Sequence, residues 1–131
     1  MPPVPAGKSG EIWQGPREPR PCHVENAPYN WRGWWAYGGG AFADMACHNI
    51  DNAVWALDLE APTSVEAFAA GGVDGERTSP AAIHHFHFPA KGSRPPVRLT
   101  WYDGGMRPEV PEWVAPDEQL EGGGNGTLFL G

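Results

Sequence analysis

Residues 31–51, WRGWWAYGGGAFADMACHNID, decide the fold of this chain. A cluster of aromatic side chains runs into three glycines, and a helical pattern begins directly after them. Asp44 and His48 are four residues apart, so an α-helix places them on one face, one turn apart. A carboxylate beside an imidazole can move a proton near neutral pH, which makes this pair a candidate catalytic site. An ordinary polar helix face with a carboxylate at its start has the same spacing.

The pattern after the glycines predicts an amphipathic helix over residues 41–58. Apolar side chains recur there at spacings of three and four, which is typical of a buried stripe. Pro62 disfavours helix at Ala61, so the helix should end near Glu60. The predicted stripe contains Ala43, Ala46, Cys47, Ile50, Val54 and Leu57, and Cys47 is therefore expected to be a small buried side chain.

Alternating apolar segments predict strands over residues 63–70, 82–88 and 96–102, and the pattern at 127–130 predicts a fourth. Residues 1–30 contain so many prolines that they should form an irregular arm lying over other parts of the chain. The sequence therefore predicts an α+β fold: a mostly antiparallel β-sheet, one main amphipathic helix and a long Pro-rich N-terminal arm over residues 1–30.

Charge and composition exclude several classes of partner. The net charge is −7 with nine Lys and Arg, so a nucleic-acid partner is not expected. No apolar run approaches the ~20 residues of a membrane span. Cys22 and Cys47 lack metal-ligand spacing and are expected to be free thiols in a reducing compartment. The first residues lack a signal-peptide pattern, which favours the cytoplasm for the sequence as it stands.

Two other motifs favour structural interpretations. Gly38 to Ala43 loosely matches a dinucleotide-binding fingerprint, but no buried strand precedes these glycines, so a cofactor site is not expected here. His84, His85 and His87 lie on one predicted strand, which places His85 and His87 on one face. Two histidines from one strand need a further ligand to hold a metal, so we expect a half-exposed sheet face and no metal site.

The aromatic residues before the glycines form a candidate substrate-binding cluster. Their rings could stack on a sugar or a nicotinamide, or could equally fill a core or an interface. Arg32 lies among them and could contact an anion or a hydroxyl. The candidate substrate-binding residues are Trp31, Arg32, Trp34, Trp35 and Tyr37.

Residues 31–58 resemble the C-terminal domain of the Gfo/Idh/MocA oxidoreductases, the glucose–fructose oxidoreductase and inositol dehydrogenase family. In that family a glycine-rich turn leads into a helix with an Asp-x-x-x-His pattern, which here matches Asp44 and His48. Residues 13–16, 29–35, 56–66, 97–105 and 124–127 are similar to the same family branch, which is common among secreted or periplasmic bacterial members. The resemblance therefore covers most of the chain.

The resemblance implies hydride transfer between NAD or NADP and a sugar or polyol carbon. It places the acid/base role on His48 and an assisting role on Asp44. It also identifies residues 31–131 as a partial substrate and oligomerisation domain, in which the open sheet face would mediate self-association. An export signal upstream of the given start would place the protein in the periplasm.

The family's nucleotide-binding domain and its Glu-Lys-Pro motif are not found in this sequence. We therefore expect the chain to bind no cofactor alone and to be inactive without a nucleotide-binding domain or partner chain. The alternative is a non-catalytic sugar-binding or assembly module of the same fold.

Overall fold

A computed structural model describes residues 3, 4, 6–21, 23, 28–71, 74–115, 118 and 124–131. A short helix α1, Gly10–Gln14, is followed by a 3-10 turn, Asn30–Gly33, and the main helix α2, Gly40–Ala56. Three strands follow: β1, Ser64–Ala70; β2, Ala81–Phe88; and β3, Val97–Tyr102. The strands form one antiparallel sheet in the order β1-β2-β3, which confirms the α+β prediction.

The sheet has one face against α2 and one open face. The register pairs Phe86 with Val65 and Leu99, so these residues share the face toward the helix. Glu66, His85 and Thr100 are paired in the same way and share the open face. This alternation confirms that His85 and His87 lie together while His84 lies on the opposite face.

Phe42 joins the helix to the sheet. Its ring stacks on His84 with the ring centroids 4.4 Å apart and meets the edge of Trp101 at 5.9 Å. It also lies parallel to Phe86 at 6.0 Å. Aromatic pairs at these separations add to the free energy gained from apolar burial. The layer between α2 and the sheet is therefore centred on this side chain.

Two expectations about apolar segments were wrong. Cys47 is exposed because the buried side of α2 passes through Ala46 and Ala53, and Cys47 lies one residue around the helix from that side. Residues 127–130 form no strand; instead, the Thr127 hydroxyl donates to the carbonyl of Asn49 at 3.2 Å. The segment thus lies against α2 and does not pair with either edge strand of the sheet.

The carboxylate of Asp103 fixes the end of the β2–β3 pair. Its Oδ1 accepts from the backbone N–H of Ala82 at 2.6 Å, and its Oδ2 accepts from the indole N–H of Trp101 at 2.8 Å. The backbone N–H of Asp103 also donates to the carbonyl of Ala82 at 3.0 Å. Both Ala82 and Trp101 are buried, so without this carboxylate their N–H groups would lack a partner away from water.

Asp103→Ala is therefore expected to lower the free energy of unfolding by about 2 kcal/mol, because two buried donors lose their acceptor. Urea denaturation of the variant measures this. Asp51→Ala, at an exposed position of α2, is the matched control and should change stability by less than about 0.5 kcal/mol. An unchanged urea midpoint for Asp103→Ala would contradict this role.

Charged side chains hold the end of α2. Asp58 has a left-handed backbone, with φ of 48°, and its Oδ2 lies 2.5 Å from Nζ of Lys91. Lys91 also lies 3.0 Å from Oε1 of Glu60. The hydrogen bond from Lys91 lowers the pKa of Asp58, and the same bond, with that to Glu60, raises the pKa of Lys91. The ion pair of Asp58 with Lys91 therefore contributes to stability above the ordinary pKa of an aspartate. This contribution is lost as the pH falls through the lowered pKa of Asp58.

Among the described residues, no helix combines the length and the apolar character that a membrane crossing requires.

Candidate functional site

The aromatic loop, residues 30–40, folds back on itself before α2 begins. The backbone N–H groups of Tyr37 and Gly38 both donate to the carbonyl of Trp34, at 2.9 and 2.8 Å. A Cβ at Gly38 would lie 2.6 Å from the carbonyl oxygen of Arg32, so a larger residue cannot occupy this position without moving the backbone. Gly40 has a positive φ of 77° and packs against Thr78.

A second loop, residues 74–79, holds the aromatic loop in place. The N–H of Trp35 donates to the carbonyl of Glu76 at 2.9 Å, and the N–H of Thr78 donates to the carbonyl of Gly33 at 3.0 Å. Asp74 shapes this second loop by accepting from the backbone N–H groups of Arg77 and Glu76, which lower the pKa of its carboxyl. The aromatic loop is therefore supported on both sides.

Asp44 forms an ion pair with Arg32. Nε of Arg32 lies 2.8 Å from Oδ2 of Asp44, and both side chains are about three-quarters buried, at 21% and 26% exposed. The guanidinium also lies over the ring of Tyr29, 3.7 Å from its centroid. Nε and Nη1 of Arg32 are buried and have no hydrogen-bond partner among the described residues, so the contact of Nε with Asp44 is an ion pair without hydrogen-bond geometry. The pair joins the aromatic loop to the first turns of α2.

His48 lies one turn further along α2 and is exposed. No hydrogen bond or ion pair joins its imidazole to Asp44 in the described part of the chain, because the Asp44 carboxylate faces Arg32. The structure thus brings Asp44 and Arg32 together, with His48 beside them on the same helix and open to solvent.

The four aromatic candidate substrate-binding residues have three kinds of surroundings. Trp31 and Tyr37 line a cleft against the N-terminal arm, where Trp13 packs on Tyr37 with the ring centroids 5.0 Å apart. Trp34 is covered by the guanidinium of Arg77, 4.6 Å from its ring centroid. Trp35 is 48% exposed and contributes to neither contact. Trp34 lines a second cleft together with Tyr37, so Tyr37 links Trp31 to Trp34, while Trp35 lines neither cleft.

The sequence did not indicate two contacts of the site, that of Tyr29 with Arg32 and that of Arg32 with Asp44. Tyr29 was not a candidate, although an aromatic residue three positions before an arginine can support its guanidinium in a helical turn. The contact of Arg32 with Asp44 depends on the path of the loop between them, which residue spacing does not specify.

The histidines of β2 and the glycines before α2 are the two remaining motifs of the sequence. Within the described ranges, no three His, Cys, Asp or Glu side chains gather closely enough to hold a metal ion. The space beside Gly38 is filled by the backbone of Arg32 and that beside Gly40 by Thr78. A side chain at either position would meet atoms of the protein itself, so both glycines allow close packing of the loop.

The Arg32–Asp44 pair predicts energetic coupling between the loop and the helix. Arg32→Met and Asp44→Asn are each expected to destabilise the chain, while the double variant should lose about 1 kcal/mol less than their sum. Urea denaturation of the four proteins gives this coupling. A strictly additive double variant would show that the ion pair contributes nothing to the fold.

Comparison with known proteins adds one finding. A family model described as the GFO/IDH/MocA C-terminal domain matches residues 10–101, more than half of the 131-residue chain. The matched span begins at α1 and ends in β3, so it includes the aromatic loop, Asp44 and His48. A comparison with curated proteins found none that matches the chain.

Proposed function

Since this chain belongs to the GFO/IDH/MocA family, we propose that it is the substrate-domain portion of an NAD(P)-dependent oxidoreductase acting on a sugar or polyol. The family is generally NAD(P)-dependent, and the matched region is an oxidoreductase-family domain. The observation that carries the proposal is the arrangement on α2, where an exposed His48 follows an Asp44 carboxylate held by Arg32.

In this proposal His48 is the acid/base residue. Oxidation of a carbinol to a carbonyl releases a proton from the hydroxyl oxygen and a hydride from the carbon. The imidazole of His48 accepts that proton, since histidine changes charge near neutral pH and this ring is open to a ligand. In the reverse reaction the imidazolium returns the proton to the carbonyl oxygen.

Asp44 and Arg32 position the start of α2 beneath the substrate. The guanidinium neutralises the carboxylate and ties it to the aromatic loop, so the turn that carries His48 has a fixed relation to Trp31 and Tyr37. Asp44 therefore assists catalysis by orienting the site.

The glycines before α2 follow the aromatic loop and not a strand of the sheet, unlike the glycines of a dinucleotide-binding fold. The proposal therefore assigns the cofactor to a nucleotide-binding domain or a partner chain. It also assigns self-association to the open sheet face, where Phe68 is 57% exposed between the side chains of a flat three-stranded sheet.

One observation favours a second candidate, a sugar-binding or assembly module without catalysis. The carboxylate of Asp44 is engaged by Arg32 and does not reach His48. A catalytic dyad in which Asp44 orients the imidazole directly is therefore not formed in this structure, and an aromatic site that only binds a sugar would need none.

Reconstitution with a cofactor domain separates the two candidates. The chain is combined with a nucleotide-binding domain of the same family, with NAD or NADP and a panel of sugars and polyols. Fluorescence of the reduced nicotinamide measures turnover. The oxidoreductase proposal expects sugar-dependent reduction in the combined sample only. Sugar binding by the chain without any reduction across the panel would favour the non-catalytic module.

A further inference from the structure

Asn125 is the only asparagine of the chain that has a glycine after it. The backbone nitrogen of the residue after an asparagine can attack the side-chain amide carbon, because the two atoms close a five-membered ring. A side chain on that next residue crowds the nitrogen, whereas glycine leaves it accessible and lets the backbone reach the required geometry. The pair of Asn125 and Gly126 is therefore suited to a reaction of the chain with itself.

The backbone around Gly126 is open. Gly124, Asn125 and Gly126 are all exposed, and a Cβ built on Gly126 would meet no atom within 4 Å. No hydrogen bond joins the N–H of Gly126 to another described residue, and the glycine lies in neither a helix nor a strand. In the described part of the chain, nothing therefore keeps this nitrogen from approaching the side chain of Asn125.

The carboxamide of Asn125 is held weakly. Its Oδ1 accepts from Nδ2 of Asn49 on α2 at 3.5 Å, which is longer than most protein hydrogen bonds. The Thr127 hydroxyl donates to the carbonyl of Asn49 at 3.2 Å and holds the chain two residues further on. The groups in both contacts are exposed, so the Asn125 side chain can turn towards Gly126 without losing a buried hydrogen bond.

Asp103 and Gly104 form a comparable pair that the fold holds in place, since an aspartate before a glycine can close the same ring. The Asp103 carboxylate accepts from the N–H of Ala82 at 2.6 Å and from the indole of Trp101 at 2.8 Å. Gly104 is packed against the backbone of Pro80. The contacts that prevent ring closure at this pair are not found around the Asn-Gly pair.

We propose that Asn125 is a site of spontaneous deamidation, and that the reaction releases residues 125–127 from α2. A base removes the N–H proton of Gly126, and the nitrogen forms a bond to Cγ of Asn125. The bond from Cγ to Nδ2 breaks, and the amide nitrogen takes up a proton and leaves as ammonia, which gives a succinimide. Water then opens the ring at Cγ to give aspartate, or at the main-chain carbonyl carbon to give isoaspartate. Water is the only co-reactant, and nothing is oxidised or reduced.

Both products change the part of the chain that lies against α2. Each adds one negative charge to a chain whose net charge is −7. Isoaspartate also lengthens the main chain by one methylene between residues 125 and 126, which moves the Thr127 hydroxyl away from the carbonyl of Asn49. Asn49 directly follows His48, so the change occurs beside the proposed acid/base residue. The inference goes beyond the proposed oxidoreductase function, because the reaction needs neither substrate nor cofactor.

Peptide mass spectrometry of the full 131-residue chain, incubated in mildly alkaline buffer, tests the proposal. Asn125 should show the mass change of an NH2 group exchanged for OH, and isoaspartyl methyltransferase should label the product. Asn30 and Asn52 should react at least about tenfold more slowly, which corresponds to about 1.4 kcal/mol in the barrier. Gly126→Val should slow the reaction by a similar factor, because a β-branched side chain crowds the nitrogen. Gly126 has no positive φ, so valine fits its backbone.

Two controls separate the local structure from the sequence pair. Gly75→Val replaces another exposed glycine with open space around it and should leave the rate at Asn125 unchanged. Unfolding in guanidinium chloride should change the rate at Asn125 by less than about tenfold, whereas Asp103 should form isoaspartate only in the unfolded chain.

Nuclear magnetic resonance follows the release from α2. The side-chain amide signal of Asn49 should shift with the same time course as the formation of isoaspartate. The proposal is overturned if Asn125 reacts only in the unfolded chain, if Gly126→Val reacts as fast as the unchanged protein, or if the Asn49 signal stays constant while the product forms.

Discussion

His48→Ala is expected to lower kcat in the reconstituted oxidoreductase by about 10²–10⁴-fold, the usual effect of removing a positioned general acid or base. His48 is exposed on α2 and forms no hydrogen bond or ion pair with another described residue, so the variant should fold normally. Substrate binding should change little, because the stacking surfaces stay in place. Steady-state kinetics of NAD(P) reduction give kcat and KM separately.

His87→Ala provides the matched control for this result. His87 is a partly exposed histidine on the open sheet face, where it lies 3.9 Å from Glu66 and on the opposite side of the sheet from α2. Its replacement should leave kcat unchanged. If His48→Ala retained full turnover, or if His87→Ala lost as much, the acid/base role would belong to another group.

Phe42→Ala is expected to lower the free energy of unfolding by about 3 kcal/mol, near the lower end for removal of a core phenylalanine. The ring lies between α2 and the sheet and contacts His84, Phe86 and Trp101. The ring is part-buried, and its removal would take away the contacts of all three of these side chains with α2. Urea denaturation followed by tryptophan fluorescence measures the loss.

Phe68→Ala is the control for the loss of a phenyl ring. Phe68 is 57% exposed on β1 and meets only the edge of His85, at a centroid distance of 5.7 Å. Its replacement should cost less than about 1 kcal/mol. Equal losses for Phe42→Ala and Phe68→Ala would mean that the helix–sheet layer does not carry the stability of the fold.

Local patterns were sufficient to predict most of the secondary structure. The helix expected over residues 41–58 is found at Gly40–Ala56, and each predicted strand of the sheet agrees with the structure to within one residue at either end. Glycines bound α2 at its start and prolines surround the strands, so the ends of these elements are specified by nearby residues. The alternation along β2 also placed its histidines on the correct faces.

Contacts between elements could not be predicted in this way. Helical spacing placed Cys47 in the buried stripe and left out Phe42, because the phase of a stripe depends on which side of the helix meets the sheet. The apolar pattern of residues 127–130 resembles a strand, but Thr127 bonds to the backbone of Asn49. An apolar alternating segment forms a strand only if the path of the chain brings it to a sheet edge, and here the chain leads residue 127 to α2.

Only part of the candidate site could be predicted, because its contacts also depend on how separate elements approach one another. Spacing placed Asp44 and His48 on one helix, as observed, but it could not show that Arg32 would engage the carboxylate. The contact of Arg32 with Asp44 depends on the path of the loop between them, which residue periodicity does not specify. The two donors of Asp103, in contrast, follow from the β2–β3 register and from the neighbouring Trp101, and periodicity alone does not indicate that its carboxylate accepts from both.

Transfer of an isotope label tests the central claim most directly. A sugar oxidised by the reconstituted enzyme is prepared with deuterium on its reacting carbon, and the reduced nicotinamide is analysed by mass spectrometry after turnover. If the chain is the substrate domain of an NAD(P)-dependent sugar oxidoreductase, the reduced cofactor will carry one deuterium, and His48→Ala will strongly reduce its formation. Sugar binding without any label in the cofactor would contradict the account.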